Sequence, residues 1–361
     1  MPGLTAFVYH EDYLKYQFGP KHPFQPIREK LTLELLKSLG AFDGRGKLFK
    51  PLPAREEDLL LAHTEDYVDF VKRMSRLGIG YLEFPDTPTS PGIYDGALSV
   101  VGGSLCASDL VMRGEVAHAF NPGGGLHHAK PRAAAGFCVF NDIVITVRHL
   151  QRKYGIKRIA ILDVDGHHGD GTQLMLYREP ILKIDFHRYG EFFYPGTGNV
   201  DEIGDDGGRG YSVNIPLPFG TTDRAFLYAF NEVALPLLRS YKPEVIIQQF
   251  GVDGHVGDPL VGLALTTRAY ETIASTIHKI SHELSDGRLI ILGGGGYDPP
   301  SVARCWAVMF MAVSEAVPQD REMYSKIFDS HEPEESPLTF ESVKATVKRI
   351  KELVFPIHGI A

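Results

Sequence analysis

Four short β-branched runs, each ending in Gly, Asp or His, set the strongest limit on what this chain can fold into. They are IKRIAILDVD (156–165), EPILKIDFH (179–187), PEVIIQQFGVD (243–253) and GRLIILGGGGY (287–297). Around them FNDIVITVRHLQRKYG (140–155), DRAFLYAFNEVALPLLRSY (223–241) and TRAYETIASTIHKISHELSDG (267–287) read as helices. Strand-then-helix repetition with almost wholly apolar strands is the pattern of βαβ units. The predicted fold is therefore α/β, with a mostly parallel central sheet and helices on both faces. Three of the four runs end in polar clusters: Asp163/Asp165/His167, Asp253, and Gly293–Tyr297. Open α/β sheets hold their ligands just beyond the carboxyl ends of the strands. Residues about a hundred positions apart are thus expected to converge on one site.

The rest of the chain adds limits rather than chemistry. With 361 residues and 43% hydrophobic content it has ample material for a core. No composition shift marks a boundary, so residues 1–361 are expected to form a single domain. FDSHEPEESP (328–337) reads as a loop, and LTFESVKATVKRIKELVF beyond it places Val343, Val347, Ile350 and Val354 at near-helical spacing. That amphipathic terminal helix is expected to pack on the same domain; a partner-binding helix is the other reading. The formal net charge of -8 opposes phosphate-driven binding of nucleic acid. Three cysteines without a CxxC exclude a disulfide framework and a Cys-rich zinc site. MPGLTAFVYHEDYLKYQ meets Pro and charge too early for a secretory signal, and CWAVMFMAV (305–313) is too short to span a bilayer. The expected compartment is the cytoplasm, with no membrane partner.

DVDGHHGDG (163–171) is the strongest local signal, with three carboxylates and two imidazoles at a strand end. Extended backbone sends alternate residues to one side, which puts Asp163 and Asp165 on a shared face with His167 next in phase. Mixed Asp/His ligation suits Zn²⁺ or Fe²⁺. NPGGGLHHA (121–129) places His127 and His128 after three glycines, and neighbouring imidazoles are suited to moving protons near neutral pH. QQFGVDGHVGDPL (248–260) offers Asp253 as a third ligand, leaving an open coordination position for water and substrate. LGGGGYDPPSVARCW (292–306) carries Tyr297, whose hydroxyl in such a loop could donate to a developing oxyanion. An isolated His pair or loop tyrosine is more often structural; the joint pattern is what carries weight. Neither glycine loop has the spacing of a P-loop or dinucleotide fingerprint.

Together these segments resemble the histone deacetylase superfamily, the arginase-deacetylase fold. The matching pieces are GGGLHHA, GFCVFND, ILDVDGHHGDGTQ, FHRYGEFFYPGTG, QFGVDGHVGDPL and LGGGGY…ARCW, in the family's order, with HPFQPIR, AHTEDYVDFV and DTPTSPGIYD before them. The resemblance covers roughly residues 5 to 315. It looks most like the bacterial and archaeal acetoin-utilisation deacetylase branch, close to the class I enzymes.

The resemblance implies Asp165, His167 and Asp253 as zinc ligands, with Fe²⁺ the alternative ion. It implies His127 and His128 as the proton-handling pair, Asp163 and Asp170 as their carboxylate partners, and Tyr297 as donor to the substrate carbonyl. Gly136 and Phe137 would wall an acyl-lysine tunnel. Asp86 would hold the substrate backbone at the rim, with Leu260 and His255 at the mouth. Arg28 matches an arginine near the product-release channel. Three positions depart from the class I pattern. Tyr194 stands where a second phenylalanine wall is common. Asp185 stands where a serine commonly serves a structural K⁺, so the carboxylate either strengthens that ion site or replaces it with a salt bridge. His255 adds a polar group expected to read the substrate. The implied reaction is hydrolysis of an acetyl amide by metal-activated water, on acetylated lysine of proteins or, alternatively, on acetylated polyamines or small metabolites. A manganese ureohydrolase shares the fold but needs more Asp and His ligands. A non-catalytic acyl-lysine binder would be expected to lack a ligand or the tyrosine, and all are present.

Overall fold

A computed structural model describes residues 3–361. Its strands are β1 Thr5–Val8, β2 Gly46–Phe49, β3 Tyr81–Glu83, β4 Thr87–Pro88, β5 His118–Asn121, β6 Ile159–Asp163, β7 Leu182–Arg188, β8 Ser212–Leu217, β9 Val245–Gln249 and β10 Leu289–Leu292. Eight form one sheet in the order β2-β1-β5-β10-β9-β6-β7-β8, and every pairing within it is parallel. β3 and β4 form a separate antiparallel pair.

Alternation along the strands explains why both faces are covered. Ala6, Val8, Ala119, Ile161, Ile247 and Ile290 bury on one face, while Phe7, Phe120, Leu162, Ile246 and Ile291 bury on the other. Helices cover both faces, and local signals fix their ends. Asn141 caps the helix Asp142–Tyr154 by accepting from the Val144 N–H, and Gly155 closes it in the left-handed conformation. Thr266 caps the helix Thr267–Leu284. The stretch expected as one helix over 223–241 is helical throughout but interrupted by a π-helical segment, Phe230–Ala234. Pro236, just beyond it, has no N–H to give to the preceding turn, which favours a local change of hydrogen-bond register there.

The terminal helix runs over Pro337–Leu353, buries Val343, Val347 and Ile350, and packs against β8 and the helix Asp223–Ala229. Its apolar face is therefore used within the chain.

Candidate active site

The loops singled out from the sequence leave the carboxyl ends of β5, β10, β9 and β6, which are consecutive neighbours in the sheet. β5 delivers His127 and His128, β10 delivers Gly293–Tyr297, β9 delivers Asp253, and β6 delivers Asp163, Asp165 and His167. Adjacent parallel strands about 4.8 Å apart thus bring together groups far apart in sequence.

Asp165, His167 and Asp253 are buried with one potential ligand atom each, all within 4.8 Å of one another. His167 Nδ1 lies 2.8 Å from Asp253 Oδ2 and 3.4 Å from Asp165 Oδ1. The outer oxygens are anchored from behind. Asp165 Oδ2 accepts from Gly295 N at 2.7 Å and Gln249 Nε2 at 2.8 Å, and Asp253 Oδ1 accepts from Gly166 N at 2.6 Å. Gly295 has to be glycine, because a Cβ there would stand 2.4 Å from Asp253 Oδ2. Burial would lower the His167 pKa, yet the two carboxylates raise it to about 10. Burial and the charge of Asp165 push Asp253 up to about 7. The cluster holds more negative charge than its imidazole offsets, and its one-nitrogen, two-oxygen donor set fits a divalent transition metal. Zinc therefore suits these residues.

Beside it, His127 Nδ1 bonds Asp163 Oδ2 at 2.9 Å, and His128 Nδ1 bonds Asp170 Oδ1 at 2.7 Å. The Nε2 atoms of the two rings face each other at 3.1 Å. Their environments push them apart. Burial opposes charge on His127, but Asp163 and Asp165 raise it to about 9. Burial and the neighbouring His127 lower His128 to about 4. Asp142 fixes the approach to this pair by accepting from Gly125 N and Leu126 N.

A cavity of about 240 Å³ opens above the cluster, lined by Asp86, His128, Gly136, Phe137, His167, Phe193, Tyr194, Leu260 and Tyr297. Every residue expected at the tunnel and rim contributes except His255. Gly136 has φ +49°, and a Cβ there would stand 2.4 Å from the His128 ring, so only glycine lets Phe137 reach the wall. Tyr194 packs edge-on to His128 with centroids 5.1 Å apart. Phe193, which the sequence reading did not single out, stacks on His167 at 5.2 Å and 9°. The aromatic run FFYP was its only signal. Asp258 accepts from Tyr297 N and Leu260 N, tying the tyrosine loop to the mouth. Buried Arg28 donates to Gly296 O at 2.9 Å, behind Tyr297.

Two expectations change. His255 is only 2% exposed, its Nε2 bonds Asp329 Oδ2 at 2.9 Å, and its Nδ1 accepts from Gly257 N. Both nitrogens are spent inside the fold, so it does not read substrate; it fastens the 328–337 loop. At Asp185 the salt-bridge outcome holds. Its Oδ1 pairs with His187 Nδ1 at 2.7 Å, and its Oδ2 takes Gly169 N and the buried ammonium of Lys183. The positive charge there is covalently attached, and these residues do not fit a K⁺.

The histone deacetylase domain family matches residues 22–313. The chain belongs to the histone deacetylase family. It is 41% identical over 318 residues to the acetoin utilization protein AcuC of Bacillus subtilis, covering 84% of this chain and 82% of that protein. It is 36% identical to the AcuC of Staphylococcus aureus, covering 86% and 81%, and to that of Staphylococcus xylosus, covering 87% and 83%. Its structure is similar to the crystal structure of the HDA15 HD domain, with a TM-score of 0.85, 27% identity and coverage of 99% of this chain and 97% of that one. The histone deacetylase fold and the AcuC-like branch both agree with the resemblance read from the motifs. The reaction class is that of a deacetylase, an amide hydrolase. Among the described residues, no helix is long and apolar enough to cross a membrane.

Proposed function

We propose that this deacetylase removes acetyl groups from lysine side chains of proteins, with zinc held by Asp165 Oδ1, His167 Nδ1 and Asp253 Oδ2, and that residues 1–361 act as one domain. The observation that carries the reading is the convergence of those three atoms at the foot of an apolar cavity, beside a carboxylate-buttressed histidine pair. Bound zinc supplies a Lewis acid at the acyl oxygen and lowers the pKa of water toward neutrality.

The chain's own residues do the rest. Phe137, Phe193 and Tyr194 enclose a neutral alkyl chain and exclude water, while a charged amine would lose its hydration there. Asp163 and Asp170 hold the Nδ1 positions, which leaves the two Nε2 atoms, 3.1 Å apart and with that of His127 3.8 Å from Asp165 Oδ1, as the groups that would exchange protons with water and substrate. One histidine takes a proton from the attacking water, and a histidine returns one to the departing amine. The Tyr297 hydroxyl donates to the acyl oxygen as it gains charge, a contribution of roughly 3 kcal/mol.

A second reading, an acetylated polyamine, gains support from the rim. Asp86 lines the cavity, and burial and hydrogen bonding to Asp86 push the neighbouring Glu83 up to about 7, so a second cationic group of the substrate held at Asp86 would draw the proton off Glu83 and gain its charge. Comparing kcat/KM for acetyl-lysine peptides with acetylspermidine tests the choice. A peptide preference supports the first reading, an acetylspermidine preference supports the second, and hydrolysis of neither overturns both. Three cysteines without a disulfide among the described residues accord with placement in the cytoplasm.

A further inference from the structure

The opposite end of the sheet carries a second histidine cluster. His118 opens β5, the strand whose far end leads to His127, while His278 and His282 lie one turn apart on the helix Thr267–Leu284. One ring nitrogen from each falls within 4.8 Å of the other two. The rings sit 4.8 to 5.0 Å apart by centroid, all edge-on. We propose that His118, His278 and His282 form a second, structural metal site for a divalent transition ion, zinc above all, distinct from the catalytic cluster.

Three observations support it. First, the tautomers are already directed. The carboxylate of Glu315 lies 3.6 Å from His278 Nε2, on the far side of that ring from the cluster, and favours the proton there. Its Nδ1 lone pair then points at His118 Nε2, 3.0 Å away. A carboxylate behind a ligating imidazole is the usual support of a metal-bound histidine. Second, without an ion the shared proton must sit on His118 Nε2. The other nitrogen of this buried ring has no close hydrogen-bond partner among the described residues, so it is left unsatisfied in the ion-free state, whereas the backbone at Gly287 and Ala117 favours a proton on the ring. Metal binding moves the proton to that nitrogen and leaves two lone pairs facing the ion, with no net proton release. Third, the site stays in its ligating form. Burial, then the neighbouring imidazoles, lowers His118 to about 3, and burial likewise lowers His278. His282 is exposed, which gives an ion from solvent a way in, and leaves a fourth coordination position for water. Imidazole-only ligation selects zinc, nickel or copper over magnesium or calcium.

The site would clasp the start of β5 to the helix behind it, so its effect is on stability rather than turnover. The test is zinc content after equilibrium dialysis against micromolar zinc, with melting temperature followed in parallel. The full chain is compared with His282→Ala, whose exposed position keeps the fold safe, and with His278→Ala/His282→Ala. The expected result is one zinc fewer per chain in both variants, loss of a zinc-dependent rise in melting temperature, and unchanged hydrolysis of an acetyl-lysine peptide. Asp253→Ala separates the two sites, because it removes a different zinc and leaves the histidine-dependent one. Equal zinc content and equal zinc-dependent stabilisation in the full chain and both histidine variants would overturn the proposal, whatever happens at the catalytic cluster.

Discussion

The ammonium of Lys183 forms a buried ion pair with Asp185, two residues along β7, directly behind the Asp163–His127 pair. β6 and β7 are in register at Asp163 and Asp185, so the lysine charge also favours the ionised form of Asp163 on the neighbouring strand. Lys183→Ala would leave the buried Asp185 carboxylate with only His187 Nδ1 and the Gly169 N–H, without its full positive charge, a loss of about 3–5 kcal/mol. Melting temperature should fall accordingly. Added K⁺ should restore part of the loss in the variant by entering the vacated space. A variant as stable as the parent would show that the pair does not hold this region together.

Tyr297 lines the cavity beside the Asp165–His167–Asp253 cluster, with its ring 6.3 Å from that of His167. Tyr297→Phe keeps the ring and removes only the donor. Deacetylase kcat should drop about 10²- to 10³-fold while KM and zinc content hold. Unchanged kcat would remove the hydroxyl from the chemistry.

His255 gives a contrasting expectation. His255→Gln should leave kcat/KM unchanged and lower stability by ~1–3 kcal/mol through loss of the Asp329 contact. Limited proteolysis should then cut first within 328–337. A shift in preference among substrates, with no loss of stability, would return His255 to the mouth.

Glu29 sets a pH dependence. It is buried beside Arg28 at 4.0 Å, and burial raises its pKa from 4.5 to about 8 despite that positive neighbour. Between those values the folded chain holds a proton that the unfolded chain has released. Its contribution is complete below the lower value and is lost as pH rises through the upper one, with a slope approaching ~1.4 kcal/mol per pH unit. Glu29→Gln should flatten the fall in melting temperature between pH 5 and 8 (about the window those two values set). An identical pH profile would rule this group out.

What the sequence disclosed follows from how much chemistry each segment packs into local spacing. DVDGHHGDG and the apolar runs before Asp163, Asp253 and Gly293 announced both a strand and its polar terminus, so β6, β9 and β10 and the residues beyond them were legible. β5 is only four residues, HAFN, and β8 contains a proline, so neither shows a clear period. Asp185 was legible as a departure, but its partner was not. Lys183 inside an apolar strand looks like an outward-facing residue until the sheet closes over both faces. His255 was misplaced because proximity to Asp253 in sequence does not survive the turn at Gly254. The chain reverses there, and Asp329, 74 residues later, claims the ring. Gln249 likewise reads as a strand residue, and only strand order reveals that its amide holds Asp165.

The most direct measurement is anomalous diffraction at the zinc edge from the active protein, paired with acetate release by Asp253→Ala. The account predicts a zinc peak bonded to Asp165 Oδ1, His167 Nδ1 and Asp253 Oδ2, and at least a ~10³-fold loss of acetate release in the variant. An active protein with no metal among those three atoms, or an Asp253→Ala variant that releases acetate at the parent rate, would contradict it.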